Sequence, residues 1–330
     1  QLAIGVAFGI IVSMMFSYGQ MHDTEVITGQ VIEKHRDEDS YQESYSCNCR
    51  TVTTGKTSTT TCSTCWRTVY TVDWYLETTI GNIDIDSESS YSSSVWSTPN
   101  PTNFVNAKIG EACSSTRSYI NYIKASPDSL FNSKEFRNKE YDEIIPSYPR
   151  LHSVYKIDHA LSADDAVSRT ELAKWTHAIR EQLKTSDIET KPNILFVFTS
   201  TTDRNYRYAL ERKWLGGKKN DLVVVIGAPS YPKATWAEVI TLGGTSGNEL
   251  TAVKVRRAIE GQNLDPVKTT NKVFSVVERN FDMKSIDDFE YLEDEQQISF
   301  WQGFFIVLIS IIVSIIVSII FSNNSLRSKH

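Results

Sequence analysis

The sequence predicts a mixed α+β and α/β chain in which two transmembrane helices, one at each end, flank a β-rich domain with cysteines and an α/β sandwich. Three observations carry this. Both termini are long apolar runs, residues 1–19 and 298–322. Residues 24–98 are rich in Thr, Ser, Tyr, Val and Trp with period-two alternation, as half-buried strands require. Beyond residue 150, apolar runs of strand length alternate with amphipathic stretches of helix length.

Both terminal runs are long enough to cross a hydrocarbon core of about 30 Å. Each carries a small residue at every fourth position: Gly5, Gly9, Ser13 and Ser17 in the first, and Ser310, Ser314, Ser318 and Ser322 in the second. That spacing keeps them on one helix face, where small side chains let another backbone approach. Phe300, Trp301, Phe304 and Phe305 stand at an expected aromatic belt. An acidic stalk, residues 285–297, precedes the second run, and Arg327 and Lys329 follow in a short tail, residues 323–330. The positive-inside rule then places both termini in the cytoplasm and the main body in the periplasm or its equivalent, making the expected product an integral membrane protein.

The β-rich domain is expected over residues 24–125, with turns at Gly29, Gly55 and Gly81-Asn82 and a helix over 103–124. A Pro-containing linker over 126–154 joins it to the α/β domain, residues 155–284. There Ser162 reads as an N-cap followed by Asp164 and Asp165, opening a helix that runs to about Lys184. A buried strand over 194–198, a helix over 206–214 and a hairpin of strands over 222–226 and 234–242 come next. A helix over 248–261 and a helix or edge element over 272–284 complete a sandwich on a mixed sheet.

The run Trp214-Leu215-Gly216-Gly217-Lys218-Lys219-Asn220-Asp221 and the apolar strand after it resemble the TPM domain family, as do the preceding helix and strand in their order. The resemblance covers residues 155–283. It implies a membrane-associated α/β module and, in some members, a weak metal-dependent phosphatase. This chain departs from the family pattern at Asn220-Asp221 and at Gly243-Gly244-Thr245-Ser246-Gly247, where members place acidic residues. The layout is also similar to uncharacterised two-span membrane proteins encoded by large tailed phages.

The sharpest chemical pattern is Cys47-x-Cys49, then twelve residues, then Cys62-x-x-Cys65. Four thiols so spaced either hold Zn²⁺ when reduced or form two disulfides in an oxidising compartment, nested as Cys47–Cys65 and Cys49–Cys62. A thiol redox CxxC is a further alternative. Cys113 reads as a buried apolar residue. For acid chemistry the candidates are Asp203, after the first strand of the second domain, and Asp221, opening the next. The loop 243–247 is read as a tight turn rather than an anion cradle.

The net charge of −6 argues against a nucleic-acid surface. The expected function is a non-enzymatic, membrane-anchored extracytoplasmic assembly protein with no resident cofactor. Its partners would be the lipid bilayer, further copies of itself in a homo-oligomer, or another membrane complex. The competing expectation is the TPM-type phosphatase using Asp203 and Asp221.

Overall fold

The computed structural model describes residues 2–54, 57–125, 141–185, 192–242, 247–283, 285–295 and 300–327. Helix α1 (Leu2–Met21) leads without a break into β1 (His22–Thr54), the spine of the first sheet. Then follow β2 (Thr57–Thr78), β3 (Ile83–Ser90), a 3-10 turn (Ser93–Ser97), α2 (Thr102–Asn106), β4 (Ala112–Ile120) and α3 (Tyr122–Ala125). The sheet order is β3-β2-β1-β4, antiparallel throughout. β1 serves two partners: residues 22–30 pair with β4, and residues 31–54 pair with β2.

Alternation in β2 explains the packing. Val72, Trp74 and Leu76 point inward onto Val31, Phe104 and Cys113, while Thr71, Asp73, Tyr75 and Glu77 face out. Beyond Ser40 and Tyr70 both faces of the β1–β2 ribbon are largely exposed. The ribbon therefore leaves the body and projects by roughly 45 Å at the usual rise per residue.

The second sheet has the order β5-β6-β7-β8, from β5 (Ala160–Ser162), β6 (Asn193–Thr199), β7 (Asp221–Gly227) and β8 (Trp236–Thr241). The first three are parallel and β8 is antiparallel, so the sheet is mixed. Helices α4 (Arg169–Leu183), α6 (Glu249–Ile259) and α7 (Pro266–Asn280) cover the face formed by Ile194, Phe196, Phe198 and Val224. Helix α5 (Tyr206–Lys213), with Tyr141 and Ile145, covers Leu195, Val197, Val223 and Val225 on the other. A central strand buried on both faces accounts for the unbroken apolar runs.

Several expectations are corrected. Among the described residues, no helix is long and apolar enough to cross a membrane, where about 20 consecutive apolar residues are needed. The expected two-span integral topology, with both termini cytoplasmic and the body periplasmic, is overturned on that finding. α1 packs instead against α8 (Phe300–Arg327), whose described apolar run, residues 303–319, takes a serine at every fourth position.

The helix expected over 103–124 ends at Asn106, and residues 112–120 form β4 because β1 offers them a partner edge. Gly29 is a strand residue, not a turn; a Cβ there would meet Thr79 Oγ1 at 2.2 Å. Ser162 closes β5 rather than capping a helix. The Asp164 carboxylate binds Ser200 N–H (2.9 Å), and Ser168 caps α4 by accepting from Glu171 N–H. Of the expected linker, residues 126–140 lie outside the described residues, while Tyr141, Ile145 and Tyr148 belong to the second core. The acidic stalk is a 3-10 helix (Ile286–Glu295). Its three-residue turn aligns Ile286, Phe289 and Leu292, and they pack on Ile123 and Leu242.

Candidate functional site

The paired helices form the most apolar surface of the described residues. Gly9 faces Ser310 so closely that a Cβ on Gly9 would lie 2.9 Å from Ser310 Oγ. Beside this crossing runs a groove of about 760 Å³, lined by Gly9, Ser13, Ser310, Ser314, Ser318 and neighbouring isoleucines. Ser310 and Ser314 add little polarity to it. Ser310 Oγ donates to Ile306 O (2.7 Å) and Ser314 Oγ to Ser310 O (2.8 Å), satisfying their hydroxyls within the helix. Ile311, Ile315 and Ile319, which line the groove, and Ile312 and Ile316 beside it are each 47–55% exposed, joined by Ile10, Ile11, Met14 and Met15 on α1. A continuous apolar face of this kind marks an interaction surface. Trp301, Phe304 and Phe305 extend it, while the surroundings of Gly5 and the side chains of Ser17, Phe300 and Ser322 lie outside what is described.

The four ribbon cysteines form two nested disulfides, Cys47–Cys65 (Cα–Cα 5.7 Å) and Cys49–Cys62 (Cα–Cα 4.0 Å). A register shift between Cys47 and Arg50, with Asn48 at φ 48°, brings both pairs to bridging distance. Cys62 and Cys65 bond to different partners, so they are not the two halves of a redox CxxC. Zinc at these sulfurs would first need both bonds reduced. Two disulfides fit an oxidising, extracytoplasmic compartment. Cys113 is fully buried, on β4 rather than a helix, and burial pushes its thiol up to about 11.

Asp203 and Asp221 do not share a site. β6 and β7 are parallel and in register from Asn193↔Asp221 to Thr199↔Gly227. Asp203 lies beyond the end of β6 and Asp221 at the opposite end of the sheet, roughly 20 Å away for a seven-residue strand. The expectation assumed that neighbouring strand ends meet, which only an antiparallel pair would allow. Asp203 accepts from Tyr141 Oη (2.7 Å), and this bond, with backbone N–H from Asn205, holds its carboxyl below the usual range.

Asp221 instead anchors the junction between the two sheets. Its carboxylate accepts from Tyr148 Oη (2.9 and 3.0 Å), Asn193 Nδ2 (2.8 Å) and Lys218 N–H (2.7 Å). Burial outweighs these donors and raises it to about 6. Gly216 and Gly217, both at positive φ, shape the loop, and a Cβ on Gly217 would crowd the Asp221 side chain at 3.1 Å. From this loop Lys218 Nζ reaches Asp23 Oδ1 at 2.5 Å, where Asn121 Nδ2 also donates to Oδ2 (2.9 Å). Lys219 N–H binds Tyr119 Oη (3.1 Å) and Asn220 Nδ2 binds Val26 O (2.7 Å). Every Asp221 oxygen is thus occupied in a closed, buried setting, an arrangement that fixes geometry rather than one that offers a base to a substrate.

Sequence reasoning missed Asp23, Tyr119, Asn121, Tyr148, Asn193 and Lys218. Polar Asn193 and Asp221 at the first positions of apolar strands were the one visible signal, whereas Tyr148 sits in a Pro-containing stretch without periodicity. The glycine-rich turn at 243–246 lies outside the described residues. The chain matches no family model, no curated protein and no solved structure.

Proposed function

We propose that this chain is a non-enzymatic extracytoplasmic assembly protein that associates with further copies of itself through the α1–α8 face. The exposed isoleucine row of α8 carries the reading. Residues 300–326 contain no charged side chain, so a complementary surface must be uncharged and apolar, as the same face of a second copy is. Two further features support it. α1 runs directly into β1, so whatever α1 is packed against is coupled mechanically to the ribbon. The TPM-like run over residues 214–225 seats the first sheet through Lys218 and Asn220, a structural use of that run.

Sedimentation velocity of the full chain in mild detergent tests the proposal. The expected result is a discrete oligomer that Ile311→Glu with Ile315→Glu converts to monomer, and that Ser314→Leu with Ser318→Leu also dissociates by filling the groove. A monomeric parent chain, or variants of unchanged size, would contradict it, as would phosphate-ester turnover abolished by Asp221→Asn.

A further inference from the structure

The outward face of the first sheet brings together three side chains able to ligate a metal. Glu33 and His35 are two residues apart on β1 and so share a face, and Glu77 stands opposite Glu33 on β2. His35 Nε2 lies 3.0 Å from Glu77 Oε2 and 3.9 Å from Glu33 Oε2. One donor atom from each residue falls within 4.8 Å of the other two.

From this geometry we infer a divalent transition-metal site on Glu33, His35 and Glu77, taking Zn²⁺ or an ion of the same class. Donors held about 2.1 Å from a tetrahedral zinc are spaced by about 3.4 Å, within the range already present. An imidazole beside two carboxylates favours zinc over Ca²⁺ or Mg²⁺, which take oxygen shells. The two carboxylates match the dipositive charge, and a fourth position is left to water. The ion occupies the place of the Nε2 proton, and the imidazole then carries its proton on Nδ1.

The ring is already oriented. Tyr75 stacks on His35 with centroids 4.8 Å apart and planes 11° from parallel. Tyr75 is in turn held by its hydroxyl donating to Asp37 Oδ2 at 3.1 Å. Such outer support fixes a ligand ring before the metal arrives. The site crosses from β1 to β2 within the body's sheet, five to seven residues before the ribbon leaves it at Ser40 and Tyr70, so the ion would clasp the two strands that continue into the ribbon. None of this depends on self-association.

The test is equilibrium dialysis of the full, disulfide-intact chain against ZnCl₂, with Co²⁺ as a spectroscopic substitute. The expected result is one ion per chain, binding weakened at least about tenfold in Glu33→Gln and in His35→Gln, and Co²⁺ d–d bands without a thiolate charge-transfer band. Glu33 is 63% exposed, so Glu33→Gln keeps the test decisive if the His35 variant fails to fold. No saturable binding, unchanged affinity in Glu33→Gln, or a thiolate band placing the metal on reduced cysteines would overturn the inference.

Discussion

Lys218, from the loop before β7, places its ammonium on the buried carboxylate of Asp23 at the start of β1. Burial alone would raise Asp23, but the Lys218 hydrogen bond and charge, with Asn121 and a backbone N–H, bring it below the usual carboxylate range. The pair ties the two sheets together at the point where β1 emerges from α1.

Lys218→Met should therefore be costly, because it takes the nearer of two ammonium groups from a carboxylate that is 7% exposed, leaving only Lys124 at 4.0 Å. Removing one member of a buried pair costs about 3–5 kcal/mol. Urea unfolding of the variant should show a loss near the lower end, since Asn121 remains as a donor. Asp23→Asn combined with Lys218→Met should recover part of it.

Asp221 gives the opposite pH signature. Its folded value, about 6, lies above the ordinary 3.8, so the protonated form is favoured by folding. Its contribution is greatest below about pH 4 and is lost as pH rises towards 6, on the order of 3 kcal/mol in all. The difference in urea midpoint between Asp221→Asn and the parent should change across that window and be flat above it. Taking the difference cancels other titrations, such as that of buried His159, which burial depresses to about 3.

Gly227→Ala should destabilise by about 1–3 kcal/mol through overpacking. A Cβ there would lie 2.0 Å from Trp236 Nε1, which donates to Thr201 O at 3.0 Å. Thermal unfolding of the variant measures the loss, and Trp236→Phe in the same background should relieve much of it by removing the clashing indole nitrogen.

Reducing the disulfides should loosen the ribbon and leave the body intact. Closing a loop of about 15 residues contributes about 3 kcal/mol to the element that contains it, and this ribbon shares almost no core with the rest. Limited proteolysis should then cut between residues 40 and 68 only after reduction, with the urea midpoint of the body unchanged.

What was legible in the sequence were features set by local pattern. Period-two alternation marked Val72, Trp74 and Leu76, the unbroken apolar runs marked β6 and β7, and the cysteine spacing suggested the nested pairing. What failed were features decided by distant partners. Residues 112–120 became a strand because β1 offers them an edge, and Ser162 lost its capping role to Ser168 because Asp164 is held by Ser200. The direction of β7 relative to β6, which separates Asp203 from Asp221, is a topological choice that composition does not record. The junction around Lys218 and Asp23 joins residues 195 positions apart, and no local window contains both.

The central claim, self-association through the α1–α8 face, is tested most directly by cross-linking. A cysteine introduced at exposed Ile312, in a chain whose other cysteines are paired or buried, should give a covalent dimer under mild oxidation. Ser89→Cys, on the edge strand β3 of the first sheet, should not. A monomer at both positions, or equal dimer at both, would contradict the account.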